Sequence, residues 1–219
     1  PYTVTVKNGT LTSEKQVALR VSSTNNAADV VTENVALNPA AGQMAIDLQD
    51  SARLVYTDEA VAKNWIGNGY VVTVDGKNYA FGISGGLAYA VKLLPEAGGT
   101  VKLLDDYTGT QKLYYTNDTG KPVVLDLNGK TYSFTYTGGT AALELARPNI
   151  NLTVKNGTIV SAGDYVVYGV LTANYPSSSA NDLKLTLDNM TLDGGQAGFG
   201  INGTLTGNVT TIKNSTIQN

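Results

Sequence analysis

The chain has 219 residues, 42% of them hydrophobic and only 15% charged, with 24 glycines. That is enough apolar matter for a substantial core, in a polar background of Asn, Thr, Ser and Gly that favours strands and turns. The net charge is −3, with 12 Lys and three Arg (Arg20, Arg53, Arg147) dispersed along the chain, so there is no basic stripe for nucleic acid. His and Cys are absent, which removes zinc sites, His-dependent triads, haem ligation and disulfides and leaves carboxylates as the surviving catalytic chemistry.

From the N-terminus, the organising pattern is apolar, any, apolar, any, Asn, any, any, apolar. Val4-Thr5-Val6-Lys7-Asn8-Gly9-Thr10-Leu11 returns as Leu152-Thr153-Val154-Lys155-Asn156-Gly157-Thr158-Ile159 and as Leu185-Thr186-Leu187-Asp188-Asn189-Met190-Thr191-Leu192. Looser copies centre on Asn34 and Asn214, and Leu125 to Tyr132 fits with Gly129 in the Asn slot. Repeats of this length are the signature of a solenoid coil. Each copy alternates like a half-buried strand, and Asn and Gly tolerate the positive φ of a turn. A second alternating run follows, around Leu19, Ile46, Val170 and Ile201. Two strands per coil with room for a third describe a parallel β-helix. Stacking would bring Asn8, Asn34, Gly129, Asn156, Asn189 and Asn214 into a turn ladder of hydrogen-bonded amides.

Between the repeats, Thr57 to Trp65 reads as a short helix capped by Thr57 or Asp58, followed by a hairpin from Tyr70 to Phe81 around Asp75-Gly76. Residues 86–97 place Leu87, Ala90, Val91 and Leu94 at helical spacing ahead of a strand beginning near Gly98. The expected fold is all-β: a right-handed parallel β-helix with short capping helices. Residues 1–50 are read as terminal coils of one solenoid, 51–84 as a joining module, and 85–219 as a second β-helix with its N-terminal capping helix at 86–97. No apolar run approaches the ~18 residues of a membrane span.

These segments resemble the β-helix modules of large secreted or surface proteins of Gram-positive gut bacteria, which are similar in fold to the pectate-lyase-like superfamily. The strings that carry the resemblance are "GGTVKLLDD" (98–106), "VVLDLNGKTYSF" (123–134), "LTVKNGTI" (152–159), "LTLDNMTL" (185–192), "TIKNSTI" (211–217) and "YTDEAVAKNWIGNGYVVTVDGKNYAF" (56–81). They are structural motifs. The aspartate clusters, histidine or arginine of the catalytic relatives have no counterpart here, so the resemblance implies a β-helix without a catalytic residue set.

Among candidate sites, Asp105-Asp106 with Asp126 is the sharpest acidic group, but neighbours on a strand face opposite ways and a solvated turn explains them better. The 13 tyrosines offer flat rings for sugars or proteins. Tyr114, Tyr115, Tyr165, Tyr168 and Tyr175 form the densest groups, Tyr175 in the long loop Asn174 to Asn181. Several of the eight Asn-x-Ser/Thr sites coincide with the repeat's own Asn turn, so turn chemistry accounts for them.

The function expected from these features is a non-catalytic structural or adhesin-like module, extracellular or at a cell surface, without cofactor or metal. Its expected partners are host glycans or host surface and secreted proteins, with end-to-end self-association through exposed coils. The alternatives are a polysaccharide-binding or polysaccharide-processing β-helix and a surface that binds a host protein such as an immunoglobulin.

Overall fold

A computed structural model describes residues 1–145, 147–169, 182–201 and 207–219. The protein is all-β, 58% strand and 8% helix, and its strands form the coils of a parallel β-solenoid. It divides into two compact units, Pro1–Leu93 and Leu94–Asn219.

In the first unit, β1 (Tyr2–Thr12), β2 (Leu19–Asn38) and β3 (Ile46–Tyr56) pair in parallel, Val4 beside Val30 and Val30 beside Leu54. Helix α1 (Glu59–Ile66) follows, capped by Asp58, whose carboxylate accepts the Ala60 N–H at 2.9 Å. The chain then folds into the hairpin β4 (Gly69–Val74) and β5 (Lys77–Gly82), and β5 pairs antiparallel with β3. Helix α2 (Gly86–Leu93) ends two residues before Pro95, which disfavours the helical conformation in its predecessor. It packs on β3, β4 and β5. The unit boundary therefore falls after Leu93, whereas the sequence reading drew it at 84/85 and assigned this helix to the second solenoid.

The second unit contains β6 (Gly99–Leu103), β7 (Tyr107–Gly109), β8 (Leu113–Tyr115), β9 (Val123–Asp126), β10 (Thr131–Phe134), β11 (Ala141–Leu145), β12 (Asn151–Ser161), β13 (Tyr165–Gly169), β14 (Lys184–Gly194), β15 (Ala197–Ile201), β16 (Val209–Lys213) and β17 (Thr216–Gln218). Every pairing described among them is parallel. The coils build three strand columns. One runs β6-β9-β12-β14-β16, a second runs β7-β10-β12-β14-β17, and the third is the sheet β8-β11-β13-β15. Register puts like on like. Val101, Leu125, Val154 and Leu187 form one inward column, all fully buried. Leu113, Leu143 and Val167 form another on the third sheet.

The repeat's Asn is the corner that makes this possible. Asn8, Asn34, Asn156, Asn189 and Asn214 all lie at positive φ, between 51° and 58°. β12 and β14 run straight through their corner, so the turn expected at the strand's end is instead a bend within it. One left-handed residue in an extended run resets the inward parity. Leu152 and Val154 point in before the corner, and Ile159 and Ser161 point in after it. That is why the motif's last apolar residue lies three places past Asn rather than two. Asn tolerates the left-handed region far better than other non-glycine residues.

The corner amides bond from coil to coil: Asn34 Nδ2 donates to Asn8 Oδ1 (3.2 Å) and Asn189 Nδ2 to Asn156 Oδ1 (3.1 Å). Asn214 donates to Asp188 Oδ1 (3.1 Å). The second coil of the second unit, β9-β10-β11, differs. Asn128 and Gly129 are both at positive φ between Leu127 and Lys130, whose N–H returns to the Leu127 carbonyl at 2.8 Å, a two-residue turn of the primed type. The Gly129 N–H still meets the Asn156 carbonyl (2.7 Å). Having no side chain, Gly129 leaves the ladder to Asp126, which accepts from Asn156 Nδ2 at 3.2 and 3.3 Å.

Two substitution pairs test this. Asn156→Ala loses the amide bonds and forces an alanine to φ 58°, which should cost about 2–3 kcal/mol, while Asn156→Gly keeps the backbone and should cost about 1 kcal/mol, both read by urea unfolding. A Cβ at Gly157 would lie 2.5 Å from Leu127 Cβ, whereas at Gly9 its nearest neighbour is 3.8 Å away. Gly157→Ala should therefore destabilise by about 1–3 kcal/mol and Gly9→Ala by less than about 0.5, although both glycines sit in the same Lys-Asn-Gly-Thr string.

Candidate functional site: the outer face of the third sheet

The strongest convergence of the predicted residues is on the sheet β8-β11-β13-β15. Along β8, Leu113 is buried and so is Tyr115, at 1% exposure, while Tyr114 between them is 37% exposed. This is strand alternation, and it removes Tyr115 from the ligand-contact candidates. Its hydroxyl lies in the core side of the coil beside Asn117 Nδ2 (3.4 Å). Burial pushes its pKa up to about 12, against a smaller lowering by the Asn117 hydrogen bond.

Tyr114 is in register with Glu144 on β11, and Glu144 with Tyr168 on β13. The three form one outward column, with neighbouring strands about 4.8 Å apart. Lys112 completes the group: its ammonium pairs with the Glu144 carboxylate and stands 5.1 Å from the Tyr114 ring centroid. Tyr165 joins from the start of β13. Its ring stacks on Tyr168 with centroids 4.3 Å apart and planes within 6°. These two lie three apart yet share a face because Val166 and Val167 between them are both fully buried, a local departure from alternation. The next coil makes room for the pair with a glycine. A Cβ at Gly200 would come within 2.8 Å of the Tyr165 ring and 3.2 Å of Tyr168.

The structure thus unites Tyr114, Tyr165 and Tyr168. Tyr175 and its loop lie outside the described residues. Glu144 and Lys112 were missed by the sequence reading, although Glu144 is the one charged residue in the apolar run Ala141–Leu145, a charge that had to point outward.

The acidic group is accounted for locally. Asp105 lies 3.4 Å from Lys130 Nζ, Asp106 accepts the Thr131 N–H at 2.7 Å, and Asp126 accepts the Asn128 N–H at 2.8 Å. Among the described residues no group of three His, Cys, Asp or Glu could hold a metal ion, and no helix is long and apolar enough to cross a membrane. A further carboxylate, Asp188, is held below the usual carboxylate range by the Asn214 amide and then by Lys213. No family model, curated protein or solved structure matches the chain.

The burial of Tyr115 has a titration signature. Its folded pKa, about 12, exceeds the ordinary value of 10.0. The folded state thus keeps a proton that the unfolded chain loses, and the contribution to stability is intact below pH 10 and falls as pH rises to about 12. Phenolate absorbance should show a late phase near pH 12 to which Tyr56, also raised to about 12 by burial and then by Glu59, contributes. Tyr115→Phe should remove one tyrosine from that phase.

Proposed function

We propose that this chain is a non-catalytic structural and adhesive module of an extracellular bacterial surface protein, and that it contacts glycans through the outer face of the third sheet. The observation that carries the reading is the Tyr114–Glu144–Tyr168 column with Tyr165 stacked beside it. Flat rings pack against the apolar faces of sugar rings, and the adjacent carboxylate and ammonium supply acceptors and donors for hydroxyl groups. The remainder of the coil surface suits a spacer. Its side chains pair from coil to coil, as in Lys155 with Asp126 (3.4 Å) and Lys213 with Asp188 (3.1 Å), and a stack needs no chemistry to hold its length.

The reading takes the chain as a relative of the pectate-lyase-like superfamily from Gram-positive gut bacteria, on the strength of its coil motifs. It takes the module as non-enzymatic because Glu144, the carboxylate of the aromatic face, is already committed to Lys112, whereas sugar hydrolysis needs two carboxyl groups flanking one bond.

A glycan array probed with the wild-type chain should give saturable binding to a subset of glycans. Tyr114→Ala and Tyr168→Ala should each weaken it by about tenfold, the weight of one aromatic contact, with unfolding midpoints checked alongside. Absence of any glycan signal, or retention of full affinity in both variants, would overturn the assignment of this face.

A further inference from the structure

The first unit contains a second constellation, formed where β2 departs from the regular coil. Between Ser23 and Ala28 the register with β3 shifts, so residues 24–27 bulge out opposite Ser51 alone. The bulge is tied down on both sides. Ser51, buried at 4% exposure, sets its hydroxyl between the Ser23 and Asn26 carbonyls, which share its one proton. From α2, the Tyr89 hydroxyl donates to the Thr24 carbonyl at 3.0 Å. A cavity of about 270 Å³ opens there, lined by Asn25, Ser51, Arg53, Phe81, Tyr89 and Lys92 among others.

Two cations reach this cavity. Arg53 is only 8% exposed, an unusual position for a guanidinium. Its Nε donates to Asp29 Oδ1 at 2.6 Å, and its Cζ lies 4.6 Å from the Tyr79 ring centroid, so the guanidinium is held between a carboxylate and an aromatic ring. Asp29 accepts the Nε–H, and the guanidinium carries four further N–H donors. Its charge is balanced by Asp29. Lys92, in the last turn of α2, adds a second positive charge, and its ammonium lies 5.0 Å from the Tyr89 ring centroid, over the wall of the same cavity. The walls beside these cations are aromatic, Phe81 and Tyr89.

We infer that this pocket binds a small organic carboxylate borne on a flat ring. A cavity of about 270 Å³, just below the usual range for drug-sized ligands, admits one ring. Phe81 and Tyr89 supply its apolar contact, the Arg53 fork matches the planar geometry of a carboxylate, and Lys92, which forms no ion pair among the described residues, supplies the charge that draws an anion in. Nothing in this inference depends on the aromatic face of the other unit. The pocket is assembled from residues 25 to 93, inside one unit.

The test is a titration followed by NMR chemical shifts of Arg53 Nε–H and Lys92, with benzoate as the probe and benzamide as its neutral counterpart. Benzoate should give saturable shifts, and benzamide should bind at least about tenfold more weakly. Lys92→Met, on an exposed side chain that the fold does not need, should weaken benzoate by about tenfold, and Lys92→Arg should restore most of it. Equal binding of benzoate and benzamide, an absence of saturable shifts at Arg53, or unchanged benzoate affinity in Lys92→Met would each overturn the inference. Loss of glycan binding at the tyrosine column would leave it standing.

Discussion

Parallel coil-on-coil register is the constraint on which the other features depend. In such a stack each residue lies about 4.8 Å above its counterpart one coil earlier, so whatever occupies a position must be compatible with a near copy of itself. Aliphatic side chains meet that condition readily, hence the buried column Val101, Leu125, Val154 and Leu187. Charges do not. The outward column that holds Lys155, Asp188 and Lys213, each just before its Asn corner, reads Lys102, Asp126, Lys155, Asp188 and Lys213 in successive register, strictly alternating in sign. Lys7 and Glu33 do the same in the first unit, 3.0 Å apart. Each exposed pair is worth little alone. Alternation matters more by avoiding the repulsion that a column of one sign would impose.

The corner obeys the same rule by another route. Asn is a polar side chain that pairs favourably with its own copy, since each amide carries both a donor and an acceptor. Where Asn stacks on Asn, the later coil donates to the earlier one, as Asn34 does to Asn8 and Asn189 to Asn156. Where the neighbouring coil offers a carboxylate, the same donor finds it, as in Asn214 with Asp188 and Asn156 with Asp126. The left-handed backbone and the ladder therefore select one residue type for two independent reasons.

This double selection explains what could be read from the sequence. The Asn corners, the inward apolar columns, the Asp58-capped helix and the hairpin after it all follow from local rules acting on short windows. Tyr115 shows a local rule left unused: Leu113 faces the core, so the residue two places on must face it too, and Tyr114 alone could look outward. The sign alternation was also present in the aligned repeats, in the residue preceding each Asn. Glu144 beside the tyrosines was harder to find, because only the strand register between β8, β11 and β13 brings positions 114, 144 and 168 together. The Arg53 pocket could not be read at all. It depends on a bulge whose carbonyls are held by Ser51 and Tyr89, and on a helix whose packing partners are set by tertiary contacts rather than by its own periodicity.

Because the chain has no cysteine, the register itself can be measured directly. Thr153 and Thr186 are register partners on the outward side of β12 and β14, a separation that a disulfide spans. Oxidation of the Thr153→Cys, Thr186→Cys double variant should yield an intramolecular disulfide, while Thr153→Cys with Asp188→Cys, two residues out of register on the same face, should stay largely reduced. Equal cross-linking of the two pairs, or preference for the shifted one, would contradict the coil register from which the corner ladder, the charge alternation and the aromatic column all follow.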